Sequence, residues 1–396
     1  MTRCDLWAHP HSLATEAAAQ SRRIAEAGFT AVRLAHIYHS GRWLLTTSRP
    51  GEVAQLPSGA WYAPDPLLSW GPQLRAPRAT PHDAVAAATG ALRSAGLAVV
   101  GWIVGLHSSP LATTHPELAL RNVFGHVYRH ALCPAQPAVR RYAAALVADV
   151  AARGVDELDL EAYGYLGWQH ASAHDKTGVT LRPADRWLLS LCTCSACARA
   201  YREAGADPRE LRERAGEAVR RQLAEPGPAA PETADDAVAA LGGPLHDAVL
   251  RARAAVTTSL IAETVAAAGS TPVWLRATCD PYAGAGKTGG DPAALTATGA
   301  GLTLTDLTGD FAALRSELHA AEAAGVSPDR LTVGWSLLDR HTLGRADLDP
   351  LTETASGYAA TAFYAYDLAP AARLGWPAAA LAPAGAAALR KPVAQC

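Results

Sequence analysis

The sequence predicts an α/β fold, a (β/α)8 barrel, and three observations carry that expectation. Eight short apolar runs alternate with helical runs along one chain of 396 residues, the order that builds a parallel sheet wrapped in helices. Histidines, aromatics and acids gather where those runs end, while the bodies of the runs stay apolar. No Gly-x-Gly-x-x-Gly follows the first run, as a doubly wound nucleotide-binding sheet would require.

In chain order, Cys4 to His9 reads as the first strand and Leu13 to Ala27 as the helix behind it, closed by Gly28. Thr30 to His39 is the second strand, and a loop rich in Pro, Gly and Trp follows from Trp43 to about Thr80. Helix His82 to Ala95 leads into a third strand, Leu97 to His107. A second long loop, Ser108 to Gln136, precedes helix Pro137 to Arg153, whose Val139, Tyr142, Ala143, Leu146, Val147 and Val150 share one face. The fourth strand then alternates: Leu158 and Leu160 point one way, Asp159, Glu161 and Tyr163 the other. Beyond an insertion, helix Asp247 to Ala268 leads to strand Pro272 to Asp280, and a short helix at Pro292 to Thr298 leads to strand Leu302 to Leu307. Helix Phe311 to Ala324 leads to strand Leu331 to Leu337, and helix Leu351 to Ala359 to strand Ala362 to Leu368. An alanine-rich tail helix ends the chain. Residues 1–396 are thus expected to form a single barrel, with a helical, cysteine-containing insertion at 166–243. That insertion reads as helices Leu189 to Ala204 and Pro208 to Leu223, then a proline-rich linker. Gly284-Ala285-Gly286-Lys287-Thr288 fails as a phosphate loop because Pro281 stands where the leading glycine belongs, so it reads as a barrel loop.

Bulk properties narrow the function classes. A net charge of -2 with a pI near 6.7 argues against a nucleic-acid or membrane-surface partner. No apolar run reaches bilayer length and the first residues carry no signal core, so the expected location is cytoplasmic. In that compartment seven cysteines, three of them within Cys192–Cys197, suit a metal site better than disulfides.

The expected strand ends supply the chemistry. They present His9 and His11; His36, Tyr38 and His39; Trp102 and His107; Asp159, Glu161 and Tyr163; Trp274, Arg276 and Asp280; Asp306; Trp335; then Tyr364, Tyr366 and Asp367. Rings that stack on sugar faces, with carboxylates between them, suit glycoside chemistry: one carboxylic acid protonates the leaving oxygen while a second acts as nucleophile or activates water. The catalytic candidates are Glu161 as acid/base, Asp159 orienting it, and a second carboxylate from Asp280, then Asp306, then Asp367. Carbohydrate contacts are expected from His39, Arg42, Trp102, His107, Tyr163, Arg276, Asp306, Trp335, Tyr366 and Asp367, and no organic cofactor is expected.

Cys133-Pro-Ala-Gln-Pro-Ala-Val-Arg140, the helix after it and Gly154-Val-Asp-Glu-Leu-Asp-Leu-Glu161 resemble the strand-four region of bacterial glycoside-hydrolase-like barrels. Glu161 with Tyr163-Gly164, followed by Cys192-Thr-Cys194-Ser-Ala-Cys197, is similar to family 42 β-galactosidases. There the strand-four glutamate is the acid/base, and a Cys-x-Cys-x-x-Cys zinc site follows it. The resemblance implies a structural zinc on Cys133, Cys192, Cys194 and Cys197, with His170 or His174 as alternatives to Cys133. Two positions depart from that family: Leu160 stands where an asparagine precedes the glutamate, and Val333 to Leu337 holds no strand-seven glutamate. Two rival readings stand beside the glycosidase. His9-Pro10-His11 and Asp367 suggest a metal-dependent hydrolase of the amidohydrolase type, although Asp280 and Asp306 occupy the strand ends where it needs histidines. The missing strand-seven carboxylate suggests a carbohydrate-binding barrel without turnover.

Overall fold

The computed structural model describes residues 3–168, 176–355 and 357–381. Eight parallel strands close into a barrel: β1 (Cys4–Ala8), β2 (Ala31–Tyr38), β3 (Ala98–Val104), β4 (Glu157–Glu161), β5 (Val273–Thr278), β6 (Gly301–Asp306), β7 (Leu331–Ser336) and β8 (Ala360–Tyr364). Closure occurs at β1, where Asp5 is in register with Ala31 of β2 on one side and Ala362 of β8 on the other. Helices cover the outside. Pro137–Ala151 buries Val139, Tyr142, Ala143, Leu146, Val147 and Val150, the face its periodicity marks out.

The elements depart from the sequence expectation where a local contact overrides the pattern. The third strand stops at Val104 rather than His107; beyond it the chain meets a later segment of its own loop, with Leu106 accepting the Leu132 N–H at 2.9 Å and His107 bridging to Ala131. The long loop after β2 contains a hairpin, Gly41–Leu44 with Val53–Leu56, and a short antiparallel strand, Gly59–Ala60, beside β2. The loop after β3 carries a second hairpin, Ala119–Arg121 with Val127–Leu132.

Between β4 and β5 lie helices Pro183–Leu189, Ser195–Glu203, Pro208–Ala224 and Thr233–Leu241, then Gly243–Ala267, which leads into β5. The single helix expected over Leu189 to Ala204 is broken at 190–194. Cys194 instead caps the second piece, its Sγ accepting the Cys197 N–H at 3.5 Å. The proline-rich stretch at 226–231 is not helical, as its ring-locked backbone requires. The tail helix is seen as Trp376–Leu381, and the remainder of that expectation lies outside the described residues. No described helix is long and apolar enough to cross a membrane.

The barrel interior is unusually charged. Arg33, fully buried, donates through Nε to Asp5 Oδ2 at 3.0 Å and through Nη1 to Thr303 Oγ1 at 3.1 Å. Its Nη1 also lies 3.1 Å from Asp159 Oδ1, an ion-pair contact without hydrogen-bond alignment. Asp159 Oδ2 accepts the Trp7 indole N–H at 2.8 Å. One layer lower, Arg3 joins Asp5 to Glu157, and the Trp274 indole N–H donates to Glu157 at 2.8 Å. Each ion alone in this interior would cost several kcal/mol, so the pairing is what makes its burial tolerable.

Candidate active site at the barrel mouth

Three acids of β4, Glu157, Asp159 and Glu161, climb the inside of the barrel, and the last reaches the C-terminal end. Glu161 is level with Val104 of β3. Its Oε2 accepts the Trp102 indole N–H at 2.9 Å and Arg276 Nη1 at 2.7 Å. The two side chains of this ion pair are 12 % and 7 % exposed, so Glu161 is sheltered yet reachable. Burial opposes the Arg276 charge, and the Glu161 and Asp159 carboxylates more than offset it, holding the guanidinium above its ordinary pKa.

β4 ends because Ala162 turns to a φ of 60° and gives its N–H to the Gly286 carbonyl at 2.8 Å. A Cβ on Gly286 would fall 2.9 Å from Glu161 Oε1, so the loop after β5 closes directly over the carboxylate. That loop also adds Thr288–Gly289 to the edge of β5. The same turn removes Tyr163 from the alternation. Its buried ring packs under Gly105 instead of facing the mouth.

Around Glu161 stands an aromatic wall. Tyr38 packs edge-on to Trp102 at 4.9 Å, and Trp102 to Tyr364 at 6.4 Å. Burial pushes both phenols up, and the Glu161 charge adds to it. His39 stacks on Tyr38 at 4.2 Å and on His107 at 4.7 Å, and His130 stacks on Tyr128 at 5.6 Å. His9 sits among Tyr38, Trp43 and Trp61, with ring centroids 4.4–5.4 Å away. Burial, then His11 and His39, hold its imidazole well below the ordinary value. Trp43, Trp61, Tyr128 and His130 come from loops and hairpins, where no periodicity singles them out.

The structure thus brings together Glu161, Trp102, Arg276, His39 and His107, with Asp159 one layer deeper behind Trp7. Other expected residues stand elsewhere. Asp306 Oδ1 accepts three backbone N–H groups of its own turn, from Thr308, Gly309 and Asp310. Asp367, fully buried, ties down Thr47 and Ser48. Trp335 is buried and donates to Thr342, Tyr366 donates to Gln20, and Arg42 is exposed on the first hairpin. Asp280 uses Oδ1 to accept the Tyr282 N–H at 2.9 Å and lines a cavity on the far side of the Gly286 loop. Burial raises its pKa, opposed by that N–H and by Lys287. His9 and His11 do not converge on a common point as a dinuclear metal site needs: His9 Nδ1 accepts the His11 N–H, while His11 Nε2 lies 3.2 Å from Glu52 and 2.8 Å from Arg49.

Behind the site, four buried cysteines lie close enough to hold a metal ion. The sulfurs of Cys133, Cys192, Cys194 and Cys197 all fall within 4.8 Å of one another, with Cys133 at 3.4 Å from Cys197 and 3.7 Å from both Cys192 and Cys194. The Arg121 N–H lies 3.4 Å from the Cys192 sulfur, and Tyr165 Oη 3.6 Å from the Cys197 sulfur. Cys133 is therefore placed with the other three; His170 and His174 lie outside the described residues.

No family model matches the chain, and no curated protein sequence matches it. Solved structures do. The catalytic domain of a β-amylase from Paenibacillus polymyxa superposes with a TM-score of 0.55 at 12 % identity, over 96 % of this chain and 99 % of that one. A β-galactosidase from Halorubrum lacusprofundi gives 0.54 at 15 % identity, over 96 % of this chain and 57 % of its own length. One from Marinomonas ef1 gives 0.53 at 13 % identity, over 95 % and 59 %. The chain therefore spans somewhat over half of those galactosidases. What it shares with all three is the barrel fold, one on which glycoside hydrolases are built.

Proposed function

We propose that the protein is a glycoside hydrolase in which Glu161 is the acid/base. The observation that carries this reading is the position of Glu161 at the end of β4, sheltered, anchored through one oxygen by Trp102 and Arg276, and ringed by aromatic side chains. Anchoring one oxygen leaves Oε1 as the atom that gives a proton to the glycosidic oxygen as that bond breaks. Arg276 holds the carboxylate in register, and the half-buried His39–His107 stack borders the sugar. Asp159 supports this from below through Trp7, which lies between the Arg33 and Arg276 guanidinia.

The reading assigns Glu161 alone: Asp280 lines a cavity beyond the Gly286 loop, and Asp306 and Asp367 are spent on their loops.

The four cysteines are proposed to hold one zinc. Thiolates at about 2.3 Å from zinc form a tetrahedron with edges of about 3.8 Å, close to the 3.4–3.7 Å between Cys133 and the other three sulfurs. Four protein ligands leave no position for water, so such a zinc would pin the segment after β4 to the loop after β3. Reduced thiols of this kind favour a cytoplasmic setting.

The reading is tested by hydrolysis of a panel of 4-nitrophenyl glycosides. Turnover of at least one, above the rate of heat-denatured protein, supports a glycosidase. Binding of oligosaccharides with no turnover of any would make the protein a carbohydrate-binding barrel.

A further inference from the structure

β7 ends in Ser336, and a short relay runs from it to an arginine at the rim of the mouth. A Cβ on Gly334 would stand 3.1 Å from the Trp7 ring inside the barrel, so Ser336, two residues on, shares that inward side. It is in register with Tyr364 at the end of β8. Ser336 Oγ lies 2.8 Å from His341 Nδ1, and Arg340 Nε donates to His341 Nε2 at 3.0 Å. A guanidinium only donates, so Nε2 is the accepting nitrogen and Nδ1 carries the proton that faces Ser336. Burial, then the Arg340 charge, hold this imidazole below its ordinary pKa, opposed by Asp306.

The relay anchors one edge of the Arg340 guanidinium and leaves the other open. Arg340 is exposed, and its Nη1 and Nη2 have no partner among the described residues. It forms no ion pair among them either. Asp339 beside it pairs with Arg373, Asp306 is occupied by its own turn, and Glu161 is paired with Arg276. The charge is nonetheless felt at the mouth through Tyr364, which is partly exposed there. Burial raises the Tyr364 pKa against its bond with Tyr38; Glu161 adds to the rise, and Arg276 and Arg340 oppose it. One phenol thus lies between Glu161 and Arg340.

The mouth therefore holds one neutral pair, Glu161 with Arg276, and one uncompensated guanidinium on the β7 side. A planar fork with both outer nitrogens free matches a carboxylate bidentately. A neutral sugar would leave that charge unanswered, and a sugar acid answers it. We propose that the mouth takes a uronic acid, a sugar ring bearing a carboxylate, which Arg340 grips through Nη1 and Nη2. The proposal rests on the reading of the mouth as a sugar site and names the class of sugar.

Calorimetric titration of the whole protein tests it, with D-glucuronate and D-galacturonate beside D-glucose and D-galactose, and acetate as a bare carboxylate. Free sugars have no glycosidic bond to break, so binding is read without turnover. One uronate should bind about tenfold more tightly than its neutral sugar and than acetate, and the advantage should shrink in high salt because Arg340 is exposed. Arg340→Gln should bring the uronate down to the affinity of its neutral sugar. If that variant proves misfolded by near-ultraviolet dichroism, Arg340→Lys, which keeps the charge and loses the fork, should lose most of the preference. A crystal soaked in the uronate should show its carboxylate on Arg340. The proposal is overturned if no uronate binds, if the neutral sugar or acetate binds as tightly, or if the preference survives the loss of Arg340. The acid/base reading fails separately: a uronate held by Arg340, with no glycoside or glycuronide hydrolysed, ends that reading and leaves this one standing.

Discussion

Arg276 of β5 donates to Glu161 of β4 at 2.7 Å across the top of the barrel, and this bond joins the mouth to the charged interior. The Arg276 guanidinium lies 5.6 Å from the Trp7 ring centre, and the Trp7 indole N–H holds Asp159 at 2.8 Å. The Glu161 carboxylate is therefore positioned by a stack of ion pairs reaching down to Arg3.

Asp159→Asn keeps the shape and the contact to Trp7 while leaving Arg33 with one fewer counter-charge in a fully buried setting. Breaking a buried pair by removing one partner costs about 3–5 kcal/mol. Urea unfolding should show a loss of that order, and a loss under about 1 kcal/mol would mean that Asp5 alone suffices for Arg33.

Zinc should copurify at about one per chain, and Cys194→Ser should lower both the metal content and the melting temperature. Elemental analysis of protein purified without chelator checks this. Absence of zinc from such a preparation would leave the four sulfurs as packed thiols.

His36 supplies a pH dependence. Burial lowers its pKa from 6.5 to about 4, its backbone bond to Leu34 opposing the shift. Below 6.5 the unfolded chain takes up a proton that the folded chain refuses, so stability is full above that value and is lost as pH falls toward 4. The shift corresponds to about 3 kcal/mol. Between pH 7 and 4.5 the parent should lose more stability than His36→Gln, and parallel curves for the two proteins would remove His36 from the account.

Much of this was legible in the sequence, and what was not has local causes. Alternation over Leu158–Glu161 and the strand-to-helix order led to the barrel and to Glu161, because period and punctuation are properties of short segments. The Cys-x-Cys-x-x-Cys spacing led to three sulfurs. Tyr163 was assigned to the mouth because alternation was extended one turn too far, past the backbone reversal at Ala162. Asp306 and Asp367 look like active-site acids in sequence, yet Asp306 caps its own turn and Asp367 ties down the distant Thr47–Ser48 loop; neither role leaves a periodic mark. Trp43 and His130 come from hairpins and Trp61 from a loop, whose register only the folded chain defines. The charged interior was invisible for the same reason: Asp5, Arg33 and Asp159 are far apart in sequence and meet only on closure.

The central claim is that Glu161 transfers the proton, and Glu161→Gln tests it most directly. The amide keeps the size of the side chain and can still face Trp102 and Arg276, but it cannot donate an acidic proton to a leaving oxygen. On a disaccharide or alkyl glycoside, whose alcohol leaves only with a proton, kcat/KM should fall by about 10²–10⁴, with the melting temperature nearly unchanged and sugar binding retained. A variant that hydrolyses this substrate as fast as the parent would show Glu161 to be a structural partner of Arg276 and nothing more.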